Sequence, residues 1–233
     1  MSENSDYLPG RLGRNDATLE TDERADPRIV EALVAAGGLA PGLDEINPEA
    51  TYEECLAYCA AFEDAAAEGN ALLSANLPAL ESVDTATEII GGVDGNQIQL
   101  YIHRPRKREG RVPCIVHIHG GGMVLMGATD PMFVRWRGAL ANLGVVVIGV
   151  EFRNGGGRLG NHPFPAGLND CASAVQWADS NRDALRISSI VISGESGGGN
   201  LSLATALKAN KEGWIDQIDG VYACCPYICG RYA

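Results

Sequence analysis

Residues 187–210 read ISSIVISGESGGGNLSLATALKAN. Ile187 to Ser193 is a β-branched apolar run, and Leu201 to Asn210 follows a helical pattern. Between them sits Gly194-Glu195-Ser196-Gly197-Gly198. A strand, a G-x-S-x-G turn and a helix are the context of a nucleophile elbow. The small flanking glycines let the chain turn sharply, so the serine hydroxyl stands exposed at the tip of a sheet. A serine at its free pKa is a weak nucleophile and needs a neighbouring base. In this arrangement the acid and the histidine follow the serine in chain order. No histidine follows His162 in this chain.

Upstream, Cys114 to Ile118 is a short apolar strand that runs into His119-Gly120-Gly121-Gly122-Met123. Consecutive glycines keep backbone N–H groups accessible and let the chain approach a ligand closely. Ester cleavage passes through an oxyanion, and preorganised N–H donors aimed at it are usually the largest catalytic contribution. A tight turn alone would also explain three glycines. The pairing with a downstream G-x-S-x-G is far more specific.

Further out, Asp26-Pro27 opens a helix with Ile29, Val30, Leu33 and Val34 as its stripe, and Gly37-Gly38 stops it. Asn47-Pro48 repeats the start signal for an Ala- and Glu-rich helix to about Gly69, with Leu56, Cys59, Ala60 and Phe62 inward. This helical piece shows no obvious chemistry. Ile98, Leu100 and Ile102 alternate with polar neighbours and follow Asp94-Gly95-Asn96, which predicts a β-hairpin. A helix from Asp130-Pro131 to near Gly144, a strand over 145–152, a loop to Pro165, a helix to about Leu185 and a strand near Val221 complete the pattern. Strands alternating with helices predict a largely parallel sheet covered on both faces. The expected domains are a polar arm over 1–25, a helical cap over 26–82 and a core over 83–233.

The 233 residues are 45% apolar and 21% charged, ordinary for a globular protein. The net charge of -12 argues against nucleic acid or anionic membrane as partner. No apolar run reaches the roughly 18 residues of a membrane span. The N-terminus has no basic start or apolar middle, so no signal peptide is expected. Seven cysteines (Cys55, Cys59, Cys114, Cys171, Cys224, Cys225 and Cys229) read as free thiols in a reducing cytoplasm. Cys55 and Cys59 share a helix face and read as packing rather than metal ligands. Cys224 and Cys225 are expected on opposite faces of a strand.

Taken together, HGGGM at 119–123, VEFRN at 150–154, HPFPAGLNDC at 162–171, GESGGGNL at 194–201 and GVYACCPYICG at 220–230 resemble the hormone-sensitive-lipase-like carboxylesterases of the α/β-hydrolase fold. The likeness is greatest to the branch that contains brefeldin A esterase. It covers about residues 85 to 233, with the N-terminal helices matching the cap more loosely. The resemblance implies Ser196 as the acyl-accepting nucleophile and the N–H groups of Gly121, Gly122 and Gly197 as oxyanion donors. It implies a structural role for His119, small-molecule esters of short-to-medium acyl chains as substrates, and no metal or organic cofactor. It allows a homodimer for the full-length form. Met123 reads as pocket wall or core filler, and Glu195 as a group that orients neighbouring backbone.

Family members continue beyond the position of Ala233, with an Asp and a His. Glu212, Asp216 and Asp219 lie in the turn before the last strand and do not suit the triad acid. His103 is expected to be exposed on the hairpin, His117 packed in its strand and His162 holding its loop, so none suits the base. Asp170 either bonds the loop through Arg153 or favours its helix N-terminus by charge. Gly155 to Gly160 fits GxGxxG, but Pro-rich chain rather than a helix follows, so a dinucleotide site is rejected. Two rivals to an esterase stand: a non-hydrolytic ligand-binding relative, and an incomplete copy of a longer esterase, open at its C-terminal sheet edge. Expressed alone, such a copy is expected to aggregate or need a complementing piece, and to be a very poor catalyst.

Overall fold

The computed structural model describes residues 18, 20–35, 46–74 and 77–228. Gly37, Gly38 and Cys229 lie outside them, as does most of the expected polar arm. Residues 1–41 and 42–233 form two separate units. In the first, α1 (Pro27–Ala35) starts where the sequence indicated, with Asp26 Oδ1 accepting the Arg28 N–H at 2.9 Å. Its expected stripe is only partly covered: Val30 and Leu33 are half-buried, while Ile29 and Val34 are exposed.

The second unit begins with α2 (Tyr52–Ser74), which starts later and runs further than Asn47-Pro48 and Gly69 suggested. Asn47 instead closes a turn, its Oδ1 accepting the Glu49 N–H. The start signal is a capping box: Thr51 Oγ1 accepts the Glu54 N–H, and Glu54 Oε2 accepts the Thr51 N–H at 2.7 Å. Leu56, Cys59 and Phe62 are half-buried, Ala60 is exposed, and among the described side chains of α2 the buried one is Glu63.

The remaining elements are β1 (Val83–Gly91), β2 (Gln97–Pro105), β3 (Val112–Ile118), α3 (Pro131–Asn142), β4 (Val146–Glu151), α4 (Ala166–Ser180), α5 (Arg182–Leu185), β5 (Ile187–Glu195), α6 (Gly197–Glu212) and β6 (Gly220–Cys224). The strands form one sheet in the order β1-β2-β4-β3-β5-β6. β1 and β2 are the predicted hairpin, and β2 also pairs antiparallel with β4. The pairs β4-β3, β3-β5 and β5-β6 are parallel. The chain leaves β3 to one side for β4 and returns past it for β5. Ligands of such sheets bind where the order reverses, beyond the carboxyl ends of the strands. Here those ends are His119-Gly120-Gly121-Gly122 and Ser196.

The two faces of the sheet differ in chemistry. Leu100, Ile102, Val116, Ile118, Ile148, Val150, Ile190 and Ile192 point one way and pack on Cys171, Ala174, Val175 and Ala178 of α4 and Leu201 of α6. Alternate residues point the other way, towards α3. The register sets Tyr101 beside Gly149 and Gly149 beside His117 on that face. Arg137 of α3 lies fully buried there, 5.9 Å above the Tyr101 ring. A Cβ on Gly149 would fall 2.6 Å from Arg137 Nε, so glycine makes room for the guanidinium.

Two expectations fail on this sheet. His103 is 4% exposed rather than solvent-facing. β4 pairs on the edge that an isolated hairpin would leave open, and α3 packs on the face that carries His103. Cys225 lies past the end of β6 and adopts φ 35°, so Cys224 and Cys225 do not alternate across a strand.

Candidate active site

β5 ends at Glu195 and α6 begins at Gly197, leaving Ser196 alone at the junction with φ 53° and ψ -116°. A non-glycine residue there is strained and persists only when its surroundings fix it. The Ser196 N–H donates to Cys224 O at 3.0 Å, and its carbonyl accepts the N–H groups of Asn200 and Tyr227 at 3.0 and 2.9 Å. The turn also needs its glycines. A Cβ on Gly198 would overlap the carbonyl oxygens of Ile118 and His119, and one on Gly194 would overlap the Gly198 carbonyl. The start of α6 therefore rests directly on the end of β3.

Glu195 ties the two strand ends together. Its Oε1 accepts the Gly120 N–H, and its Oε2 accepts from His117 Nε2, both at 3.1 Å. Burial pushes this carboxyl up, but His117 and the Gly120 N–H outweigh it, and the pKa lies below the ordinary value. Glu195 thus bonds the backbone at Gly120.

The loop after His119 disposes of its N–H groups in a telling way. Gly120 donates to Glu195, Val124 and Leu125 to Gly121 O, Met126 to Glu63, Gly127 to Asp130 and Ala128 to Glu151. Among the described residues, the N–H groups of Gly121, Gly122 and Met123 find no acceptor. Gly121, Gly122 and Met123 all have positive φ (103°, 65° and 67°). A Cβ on Gly197 would lie 2.6 Å from Met123 N and 2.7 Å from Gly122 N. The structure so brings Ser196, Gly197, Gly122 and Met123 to one place, with the first turn of α6 adding its free N–H groups. The Met123 N–H was not anticipated. Its signal was the positive φ needed to continue a glycine turn, and sequence alone does not reveal that.

His119 is buried beneath this loop. It stacks on Phe152 (4.2 Å, 18°), and its Nδ1 is 2.7 Å from Gly120 O. Burial pushes its pKa down to about 4, so a neutral ring donates to that carbonyl. Burial does the same to His103, also to about 4. His162 is exposed, and its backbone N–H, donating to Asn154 O at 2.9 Å, anchors its loop. No hydrogen bond joins any of these histidines to Ser196 among the described residues. Asp170 is buried and takes the loop-bonding role: its carboxylate accepts from Arg153 N, Nε and Nη2 and from Asn96.

Two groups escaped the sequence reading. Arg137 carries a guanidinium into the sheet, where burial lowers its pKa to about 10, and donates to Ala128 O at 2.6 Å. Glu63 of α2, 5% exposed, accepts the N–H groups of Met126 and Arg158 at 2.5 and 2.7 Å. In a helix rich in Glu and Ala, a buried carboxylate has no distinguishing local pattern.

A family model described as the alpha/beta hydrolase fold matches residues 115–232. The chain belongs to this family. Among solved structures of the hydrolase fold, brefeldin A esterase, a bacterial homologue of human hormone sensitive lipase, is similar at 42% identity and TM-score 0.86, over 95% of this chain and 62% of that one. The resemblance to hormone-sensitive-lipase-like carboxylesterases is thus borne out across the fold. Tuliposide A-converting enzyme 2, chloroplastic, of Tulipa gesneriana is 27% identical over 66% of this chain and 41% of its own length. Carboxylesterase NlhH of Mycobacterium tuberculosis is 32% identical over 52% of this chain and 38% of its own length. This chain therefore spans less than two thirds of each relative. No helix among its described residues is long and apolar enough to cross a membrane.

Proposed function

We propose that the protein is a serine carboxylesterase that cleaves short-to-medium acyl esters through an acyl-enzyme on Ser196. One observation carries this reading: a strained Ser196 faces a loop whose acceptor-free N–H groups crowd against Gly197. In this reading Ser196 Oγ attacks the ester carbonyl carbon. The carbonyl oxygen gains charge and is held by the N–H groups of Gly121, Gly122 and Gly197. The C–O bond to the alcohol breaks and the alcohol leaves with the proton given up by the Ser196 hydroxyl; water then attacks the acyl-enzyme, the acid leaves, and a water proton restores the hydroxyl. None of the four histidines is the base in this mechanism, since His103, His117 and His119 are buried in the core and His162 belongs to its own loop. Six free thiols among the described residues support a reducing, cytoplasmic setting.

Histidines that leave Ser196 alone also suit the rival reading, a relative that binds esters without cleaving them. Turnover of p-nitrophenyl acetate by the protein and by Ser196→Ala separates the two. Loss of turnover in the variant is expected; weak turnover that the substitution leaves unchanged would leave binding alone.

A further inference from the structure

We propose that Glu63 is a positioning residue: a carboxylate on α2 that holds the shape of the loop presenting the Gly121, Gly122 and Met123 N–H groups. This rests on the esterase reading above. Three features converge on Glu63. Its Oε1 accepts the Met126 N–H at 2.5 Å, and its Oε2 accepts the Arg158 N–H at 2.7 Å. Arg158 Nε lies 3.3 Å from the same Oε2, and Arg158 Nη2 reaches Asp130 at 2.7 Å. Asp130 in turn accepts the Gly127 N–H at 3.1 Å. The carboxylate is thus buried with its charge matched and both oxygens used, which is the condition for a charged group to stay inside.

The backbone bends to meet it on both sides. Met126 adopts φ 71°, a conformation that side chains rarely take, and is fixed by Glu63 on its N–H and by Asn154 Nδ2 on its carbonyl at 2.7 Å. Gly157 adopts φ 62°, and a Cβ there would fall 2.5 Å from Glu63 Oε1. Two departures from ordinary backbone around one carboxylate are unlike simple helix docking.

From Met126 the path to the N–H groups is short. Val124 and Leu125 donate to Gly121 O at 3.0 and 2.9 Å, which closes residues 121–125 into one turn. Met126 Cγ would lie 3.2 Å from a Cβ on Gly121. Releasing Met126 therefore releases the far end of the turn that begins at Gly121. α2 packs on α3, but beside Glu63 the packing is open: a cavity of about 240 Å³ is lined by Phe62, Glu63, Ala66, Asn70, Met126 and Asp130. At the edge of that cavity Glu63 joins α2 to the loop through the Met126 N–H.

The test compares the protein with Glu63→Ala and Glu63→Gln. Glutamine keeps the shape and one acceptor but turns its amide N–H towards a second donor, so it loses one of the two bonds. Amide hydrogen exchange over residues 120–128 and p-nitrophenyl acetate kinetics are read on the folded fraction. In Glu63→Ala, loop exchange should quicken by about tenfold or more while β3 and β5 amides keep their rates. Turnover should fall by about tenfold or more with KM within about twofold, and Glu63→Gln should lie between. Should Glu63→Ala fail to fold, Glu63→Gln carries the same two readouts. Unchanged loop exchange overturns the proposal, as does a loosened loop with undiminished Ser196-dependent turnover. A protein with no Ser196-dependent turnover at all overturns the esterase reading instead, and the exchange rates still decide whether Glu63 holds the loop.

Discussion

At Gly197 one hydrogen in place of a methyl group decides how closely the two halves of the site approach. A Cβ there would meet Gly122 N and Met123 N at 2.7 and 2.6 Å, far inside contact distance. Gly197→Ala must push the glycine loop away from Ser196, and the donors move with it. Removing one such donor from a preorganised site typically costs roughly 3 to 4 kcal/mol of transition-state stabilisation. Ser196-dependent turnover of Gly197→Ala should therefore drop by about a hundredfold or more. Steady-state kinetics against an unaltered melting temperature would check it, and turnover near that of the parent would rule the geometry out. At this scale the sequence was informative where a motif fixed backbone shape. Gly122 stands against Gly197, next to Ser196, because G-x-S-x-G and HGGG each dictate one turn. Glu63 and the Met123 N–H were hidden because their roles depend on which distant residues come to face them.

The two faces of the sheet respond differently to pH. Its α4 side is aliphatic, while its α3 side carries a polar layer of the buried His103, His117 and Arg137 and the half-buried Tyr101 and Glu151. Burial holds His103 and His119 near a pKa of about 4, well below an unfolded histidine. The folded state therefore takes up fewer protons than the unfolded state between about pH 6.5 and 4. Stability is full above that window and falls as the pH drops through it, by up to about 1.4 kcal/mol per pH unit for each ring. Urea midpoints measured from pH 7 to 4.5 should decline steadily; a flat profile would mean that these rings are protonated or solvated when folded. Alternation along Ile98, Leu100 and Ile102 made β2 legible as a strand. It did not say that α3 would cover the other face of the sheet, so His103 read as exposed. Periodicity reports the face of a strand and is silent about its neighbours.

For the molecule as a whole, the strand order places every element of the proposed chemistry at one end of the sheet. β3 delivers the glycine loop, β5 delivers Ser196, and β6 braces the elbow through Cys224 O. α2 reaches the same end through Glu63. The alternation of strands and helices was enough to foresee this parallel core, because β-α-β crossovers leave few other arrangements. The antiparallel attachment of the hairpin and the polar layer beneath α3 depend on long-range pairing that no local pattern encodes. The central claim is that Ser196 accepts the acyl group. The direct measurement is mass spectrometry of the peptide containing Ser196 after rapid mixing with p-nitrophenyl acetate and an acid quench. The account predicts an acetyl group on Ser196 that is missing from Ser196→Ala; acetylation elsewhere, or none at all while p-nitrophenol is released, would contradict it.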